Sequence, residues 1–453
     1  MQFDTASQNI ISNHYNILGK IDCHAVDPCN IIMTKDGKRI GLALSGGGYR
    51  AAAYHIGTLR ALHNMGILDK VDVISSVSGG SIIAAYYALH KEDFDHFEQE
   101  MISKLNIGVL HLVYLNLVAI LTAVALLTWC LKLPGLIASL VILFVFWYQL
   151  FPTHWWLRLQ FDWLFFHKKT LSDLPESPKV TINTTDYPTV SQFVFSHSQI
   201  YGYYYGSDAF YHSQFPISLA VTTSTCVPFA FRPVRIPSKY QTSKMKMKRQ
   251  PMLLDGGLYD NQGTHVLTDK SSNYQCDYII VSDAGNGKVT DKFTLNPLLA
   301  LYKTSEVFMQ RIKKFQSQQN LYLPTYPDKR FAYVVLEWDY NERILDGFVR
   351  NLLEGHVHAD VCSCHQIPDA DIADLTKVHR AAEATVRIKD RLKRNIHWDE
   401  FLAIQPTVNS HKSAYKTLTD MTFLRKSRIA DLIRESEWKT QMQVRLYLPF
   451  MFN

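Results

Sequence analysis

Three glycine-flanked stretches of the sequence contain the residue types of a nucleophilic site. Ser78 stands in Ser-Val-Ser-Gly-Gly, which resembles the G-x-S-x-G turn that exposes a serine between a strand and a helix. Asp255 precedes two glycines, and a run of three glycines at 46–48 is followed by Arg50. Serine attack on an acyl carbon creates an oxyanion, so such a site requires a base and preorganised N–H donors. The three stretches contain a candidate for each role.

The glycine run and Ser78 each lie between a predicted strand and a predicted helix. The apolar segment 39–45 ends at the glycine run, and helical spacing follows over 50–64. A second β-rich segment, 71–77, ends at Ser78 and leads into helical spacing over 82–90. This order is a βαβ unit, and a right-handed connection places both turns at the carboxyl edge of one sheet. We therefore expect the two turns to be neighbours.

Nucleotide binding is an alternative use of the glycine run, because Gly46, Gly48 and Ala51 fit a loose dinucleotide pattern. That function requires an acidic residue at the end of the second strand, whereas Asp72 lies at its beginning. The lysine of a Walker loop is also missing. The sequence therefore disfavours nucleotide binding.

Taken in order, the three stretches resemble the G-G-G-x-R, G-x-S-x-G and D-G-G motifs of the patatin-like phospholipase family. The likeness covers roughly residues 38–100 and 175–290, and it includes the helix around His55 and the segment 220–231. Ser76 stands where the family has the first elbow glycine, and Ala51 stands where it commonly has a glycine. The resemblance implies a three-layer α/β/α fold with a central, mostly parallel sheet, and a serine lipid acyl hydrolase.

Carried over position by position, the resemblance implies a Ser-Asp dyad. Ser78 would attack the ester carbonyl of a membrane phospholipid or another acyl-ester lipid, and Asp255 would accept its proton. Arg50 would help to fix the glycine loop, and no cofactor is implied. The oxyanion would be held by the backbone N–H groups of Gly46, Gly47 and Gly48.

Other arrangements remain open from the sequence. A Ser-Asp-His triad would make His265 or a later histidine essential. An acyltransferase would pass the same acyl group to an acceptor other than water, and a membrane scaffold would keep the fold without turnover. The cluster between His356 and His365 has metal-binding residue types, but its spacing matches no familiar zinc module, so we expect no metal.

Residues 105–157 contain a single charge, Lys132, which divides the apolar runs 109–131 and 133–151. Each run is long enough to span a hydrocarbon core of about 30 Å. Pro134 and Gly135 favour a turn after Lys132. We therefore predict that a two-helix transmembrane hairpin over 105–157 interrupts the catalytic domain.

Charge predicts the orientation of this hairpin, because basic residues collect on the cytoplasmic side of membrane segments. The turn has only Lys132, whereas both flanks are basic. We therefore predict an integral membrane protein whose catalytic domain lies on the cytoplasmic side. The flanking basic residues are Lys104, Arg158, Lys168 and Lys169.

The composition of the 453-residue chain, 47% hydrophobic and 19% charged, excludes disorder as its main state. A net charge of +6 does not indicate a nucleic-acid binder but suits contact with anionic lipid, and a basic segment runs from Arg232 to Arg249. Seven scattered cysteines favour a reducing compartment, and the first forty residues lack the apolar core of a secretory signal. We predict an N-terminal extension over 1–37, a catalytic domain over 38–104 and 158–290, and a mainly helical region over 291–453.

Overall fold

One mixed sheet forms the centre of the described part of the chain. The computed structural model describes residues 37–145, 153–228, 230–247, 249–285, 297–322 and 325–452. The predicted N-terminal extension therefore lies almost wholly outside the described residues. Within the described ranges the strands are β1 (Ile40–Leu44), β2 (Val73–Val77), β3 (Lys179–Asp186), β4 (Ser191–Ser196), β5 (Ile200–Gly202), β6 (Val234–Arg235), β7 (Met252–Asp255), β8 (Tyr278–Asp283) and β9 (Arg330–Val335).

The strands follow the order β5-β4-β3-β2-β1-β8-β9, with β7 paired to both β3 and β6. Strand β1 pairs in parallel with β2 and β8, and further parallel pairs join β2 to β3 and β8 to β9. The other four pairings are antiparallel. The prediction of a mostly parallel sheet was therefore wrong. The short links between β3, β4 and β5 have no room for a crossover, so they join antiparallel strands.

Helices pack against this sheet on its two faces. Alternate residues of the central strands contribute to two separate apolar clusters, with Leu42 and Leu44 in one and Ala43 in the other. In chain order the helices are α1 (Gly48–Asn64), α2 (Gly79–Leu89), α3 (Phe94–Leu105), α4 (Val109–Val145), α5 (Thr153–Phe161), α6 (Ile217–Thr225), α7 (Gly257–Asp260), α8 (His265–Thr268), α9 (Pro297–Leu321), α10 (Arg343–Leu353), α11 (Ala359–Cys364), α12 (Asp369–Leu375), α13 (Ala381–Asn395), α14 (Val408–Tyr415) and α15 (Lys426–Tyr447). Helix α5 continues into a π-helical turn at Asp162–Phe166.

The first and last of these helices, α1 and α15, cross closely. A Cβ atom on Gly57 would overlap the carbonyl oxygen of Ile433, so only glycine allows the backbones to approach this far. Beside this crossing the Thr58 hydroxyl lies 2.7 Å from the hydroxyls of both Ser282 and Ser436. The buried polar contacts satisfy side chains from α1, β8 and α15 together. The C-terminal helix thus belongs to the layer that covers the central sheet.

A third apolar cluster lies among the helices between β9 and the C-terminus. It contains residues of α10 to α13 together with Trp398, and it reaches α15 through Trp438 and Met442. The strongly amphipathic pattern of α10 explains why one face is buried here. This cluster joins the mainly helical C-terminal region to α15.

The apolar insertion begins as one long helix, α4. The backbone is assigned as helical over Val109–Val145, and the stretch that is long and apolar enough to cross a membrane ends at Cys130. The second helix of the predicted hairpin and its turn at Lys132-Leu133-Pro134-Gly135 are not shown by the described residues. The last part of the second run, 146–151, lies outside the described residues.

Among the described residues one helical stretch, Phe94–Cys130, is long and apolar enough to cross a membrane by length and composition. It comprises α3 and the first part of α4. Val109 and Val113 pack in the protein core, whereas Leu115 is 63% exposed and Trp129 is 87% exposed. The outward part of α4 therefore shows apolar side chains that no described residue covers.

The crossing of α1 and α15 generates a stability prediction. Gly57→Ala should destabilise the protein by about 2 kcal/mol or more, because the new methyl group forces the two backbones apart. The matched control is Gly347→Ala in the interior of α10, where a Cβ meets nothing within 4 Å. That variant should gain about 0.5–1 kcal/mol from helix propensity. Equal unfolding midpoints of the two variants would contradict the predicted close crossing.

Candidate active site

The edge of β3 brings the predicted nucleophile and base together. One edge of β3 pairs with β4, and the opposite edge is shared by β2 and β7. Strand β2 ends at Val77 opposite Asn183, and the antiparallel β7 ends at Asp255 opposite Thr184. The two strands therefore run toward each other along one edge. Ser78 follows β2 directly and so meets Asp255 where the strands converge.

Ser78 occupies a strained turn between β2 and α2. Its φ of 50° and ψ of −118° lie where side-chain-bearing residues are rare. Its N–H donates to the Ser224 hydroxyl at 2.8 Å, and that hydroxyl donates to the carbonyl of Asn183 at 2.7 Å. Cβ atoms on Gly79 and Gly80 would overlap backbone carbonyl oxygens. Glycine at these two positions therefore allows α2 to begin in contact with the backbone of Leu44 and Gly48. This close approach keeps Ser78 in its turn.

The two positions at which this chain departs from the family motifs fit the structure. The Ser76 hydroxyl donates to the carbonyl of Thr181 at 2.7 Å, so β3 accommodates a side chain where the family has glycine. Ala51 is fully buried in α1. Neither side chain projects into the cavity that contains Ser78.

Asp255 is buried and firmly oriented. Its carboxylate accepts a hydrogen bond from the Gly257 N–H at 2.7 Å, and its own N–H donates to the carbonyl of Cys226 at 2.9 Å. Burial raises the pKa of Asp255 to about 6, while hydrogen bonds from Gly257 and the Ser78 hydroxyl act in the opposite direction. A carboxyl group with this pKa is ionised near neutral pH and still basic enough to accept a proton.

The glycine run, for which the sequence predicts a role as oxyanion hole, lies beside Ser78. Gly47 has a φ of 142° and Gly48 a φ of 59°, and both values favour glycine. The Gly46 N–H donates to the carbonyl of Asn261 at 2.9 Å. Within the described part of the chain, the N–H groups of Gly47 and Gly48 have no acceptor. The Gly46 amide is therefore occupied within the protein, whereas the N–H groups of Gly47 and Gly48 are free to donate to a ligand in the cavity.

Arg50 is buried and links the start of α1 to the C-terminal region by a hydrogen bond. Its guanidinium donates to the carbonyl of Thr417 at 3.2 Å. Burial lowers the pKa of Arg50 to about 10, against the opposing effect of carboxylates that include Asp283 and Glu306. The arginine thus joins the start of α1 to a segment of the C-terminal region.

That C-terminal segment, 417–424, packs over the glycine run. The carbonyl of Asp420 accepts the Tyr49 N–H at 2.7 Å, and a Cβ atom on Gly48 would overlap the same carbonyl. On its other side the segment contacts the start of α4, where the Leu110 N–H donates to the carbonyl of Met421 at 3.5 Å. The segment therefore lies between the catalytic loop and the base of the apolar helix.

One cavity is lined by Ser78, Asp255, Arg50 and the glycine run. Its wall combines the three motifs with residues of α9 and of the 417–424 segment. Sequence reasoning missed these last two contributions, because neither stretch carries a motif and only packing places them here. The lining includes Gly46, Gly47, Gly48, Arg50, Ser78, Asp255, Asn261, Glu306, Met309, Gln310, Thr419, Asp420 and Met421.

The predicted alternative base, His265, lies elsewhere. It lines a different cavity, and its Nε2 atom is 3.3 Å from the Tyr259 hydroxyl. His55 is fully buried between the Ser282 hydroxyl and the Ser45 carbonyl, and burial lowers its pKa to about 4. The described lining of the cavity that contains Ser78 and Asp255 includes no histidine.

The candidate metal cluster between His356 and His365 is also dispersed. His365 is buried and its Nε2 atom is 2.9 Å from the carbonyl of Leu446. Among the described residues, no group of three or more His, Cys, Asp or Glu side chains is arranged to hold a metal ion.

The raised pKa of Asp255 predicts how stability depends on pH. The folded protein binds a proton at this site more tightly than the unfolded chain, whose carboxyl has a pKa of 3.8. The stability contributed by this site is therefore greatest below about pH 4 and is lost as the pH rises through about 6. Above that pH the buried carboxylate costs about 3 kcal/mol.

Asp255→Asn, which keeps an acceptor for the Gly257 N–H, should therefore melt at a higher temperature than wild type near pH 7.5. The difference should disappear near pH 4. Ser78→Ala is the control, because it keeps the carboxyl group. A difference in melting temperature that does not change with pH would contradict the assignment.

Comparison with known proteins places these observations in a family. The model for the patatin-like phospholipase family matches residues 42–268, half of the chain. A stretch of 56 residues is 45% identical to a lysophospholipase of Pyricularia oryzae, and it covers 12% of this chain and 4% of that protein. A stretch of 57 residues is 49% identical to a patatin-like phospholipase domain-containing protein of Caenorhabditis elegans, and it covers 13% of this chain and 4% of that protein. The similarity thus spans only a small part of these relatives.

Among solved structures, the human GIVD cytosolic phospholipase A2 aligns with 89% of this chain and 58% of its own, at 14% identity and a TM-score of 0.43. VipD from Legionella pneumophila aligns with 94% of this chain and 97% of its own, at 12% identity and a TM-score of 0.27. Structural similarity at these TM-scores supports no conclusion about this chain. The predicted resemblance is confirmed by the family model and by the three motifs that it spans: the chain belongs to the patatin-like phospholipase family.

Proposed function

We propose that this chain is a serine lipid acyl hydrolase that cleaves acyl ester bonds of phospholipids or related lipids. The observation that carries the proposal is that β2 and β7 converge so that Ser78 and the buried Asp255 line one cavity, which Gly47 and Gly48 also border. Family membership supports the same reaction class.

In the proposed reaction, Ser78 Oγ attacks the ester carbonyl carbon while its proton passes to the carboxylate of Asp255. The carbonyl oxygen becomes an oxyanion that accepts hydrogen bonds from the N–H groups of Gly47 and Gly48. Collapse of this intermediate breaks the ester bond, and Asp255 returns the proton to the departing lysolipid oxygen. Water then attacks the acyl-serine with Asp255 as its base, which releases a fatty acid and restores Ser78.

We also propose that the exposed part of α4 anchors the enzyme in a membrane. Val109 at the start of α4 and Leu157 in α5 are both buried in the catalytic core. The chain therefore leaves this domain and returns to it, so the excursion must end on the side of the bilayer where it began. The basic residues on both flanks favour the cytoplasmic side for the catalytic domain.

The dyad predicts the effect of three variants on lipid hydrolysis. Ser78→Ala and Asp255→Asn should each lower kcat/KM by about a thousandfold or more, while circular dichroism stays unchanged. His265→Ala should retain activity within about threefold, because its side chain lies outside the dyad cavity. The kcat/KM of wild type should fall tenfold per pH unit below about pH 6, where Asp255 becomes protonated.

Fatty acid and lysolipid release from vesicles is the measurement for these variants. Added acceptor alcohol distinguishes hydrolysis from acyl transfer, since transfer yields a new ester. Full activity of Ser78→Ala would overturn the proposal, and loss of activity in His265→Ala alone would favour a histidine triad.

Membrane anchoring by α4 predicts how the protein fractionates. Wild-type protein should remain in the membrane pellet after extraction with alkaline carbonate. Val118→Arg combined with Leu121→Arg should shift it to the supernatant, because each arginine costs about 2.5–3.5 kcal/mol near the centre of a spanning helix. The matched control is Val378→Arg at a site that is 90% exposed. Release of wild type by carbonate would contradict integral anchoring.

A further inference from the structure

The exposed face of α9 has an unusual composition for a water-facing helix. Among the α9 residues whose side chains the structure describes, the exposed ones recur at intervals of three or four and form a single stripe. Half of the stripe is large and apolar, its two charges are both positive, and it contains no acidic residue. The residues of this α9 stripe are Leu301, Thr304, Val307, Phe308, Arg311, Lys314, Phe315 and Gln318.

Polar contacts on the opposite face fix the orientation of the helix. Lys313 Nζ lies 2.9 Å from the buried carboxylate of Asp283, at the end of β8. One turn later Ser317 lies 3.1 Å from the side-chain nitrogen of Gln262, and the Asn320 side chain donates to the Tyr333 hydroxyl at 2.7 Å. Rotation of α9 to bury its apolar stripe would break these contacts. The stripe therefore remains on the outside.

The stripe lies beside the cavity that contains Ser78. Glu306, Met309 and Gln310, on the neighbouring edge of α9, line the cavity that contains Ser78. Met421 lines the same cavity, and its carbonyl accepts the Leu110 N–H at the start of α4. The α9 stripe and the base of the apolar helix thus adjoin one cavity.

We infer that the α9 stripe docks on the surface of an anionic lipid bilayer and holds the catalytic cavity against it, an inference that rests on the proposed function. Phe308 is 61% exposed and Phe315 is 57% exposed, which suits insertion at the boundary between headgroups and acyl chains. Arg311 and Lys314 stand between them and, among the described residues, form no ion pair with a carboxylate. Cations beside apolar side chains, without an acid, match anionic phospholipid.

This surface differs in kind from the α4 anchor. Helix α4 keeps the protein in the membrane whatever the headgroups are, because its contact is with the hydrocarbon core. The α9 stripe instead depends on the headgroup charge and controls how the cavity meets its substrate. Delivery of a lipid from the bilayer to Ser78 is therefore expected to require the stripe, whereas delivery of a water-soluble ester is not.

The first test uses the full chain reconstituted in phosphatidylcholine vesicles with or without phosphatidylserine. Phe308→Ser combined with Phe315→Ser should lower hydrolysis of vesicle lipid at least tenfold and leave hydrolysis of a short-chain soluble ester within twofold. Arg311→Glu combined with Lys314→Glu should abolish the rate increase that phosphatidylserine produces. The matched control, Val378→Ser, should change neither substrate. Equal loss on both substrates in the double serine variant would overturn the inference.

The second test measures contact with lipid directly and does not depend on turnover. Fluorescence of Phe308→Trp should be quenched by brominated phospholipid beyond the quenching of wild type, whereas Val378→Trp should add no quenched signal. An absence of extra quenching in Phe308→Trp would overturn the inference, including the case in which a protein partner covers the stripe. Failure of wild type to cleave either substrate would instead overturn the proposed function, and the quenching result would still decide the lipid contact.

Discussion

The active site depends on how two strands share one edge of β3. Strand β2 occupies the first half of that edge in parallel, and β7 occupies the second half in the opposite direction. Hydrogen bonding along β3 therefore fixes where each strand ends, and the residues at the two ends, Ser78 and Asp255, must converge. A change in the register of β7 by one residue would turn Asp255 to the other face of the sheet.

The convergence of Ser78 and Asp255 lowers the stability of the fold, and hydrogen bonds from surrounding residues offset this loss only in part. The Asp255 carboxyl is buried, and its few hydrogen bonds leave its pKa raised. Ser78 is held at positive φ, and a network through Ser224 ties its backbone to β3. Backbone strain at Ser78 and poor solvation at Asp255 are properties typical of functional sites, where they lower stability.

Elements far from the motifs complete this site. The C-terminal helix α15 packs on α1, the segment 417–424 contacts the glycine run, and an edge of α9 lines the cavity. Because the 417–424 segment also contacts the start of α4, the catalytic loop and the apolar helix share one support. The catalytic unit therefore extends well beyond residues 42–268, which the family model matches.

Sequence by itself determined the family, the nucleophile candidate, the base candidate and the apolar insertion. These depend on glycine turns, strand-helix alternation and hydropathy, which are properties of neighbouring residues in the chain. It also predicted that Ser78 and the glycine run are close, because one βαβ unit connects them. Tertiary structure alone decided that β7 meets β3 in the antiparallel direction and that the Gly46 N–H donates to the carbonyl of Asn261. Tertiary structure also decided that residues of α9 and of the 417–424 segment line the cavity. These residues lie more than a hundred positions from Ser78, and contacts at that separation depend on strand pairing and packing rather than on any local sequence pattern.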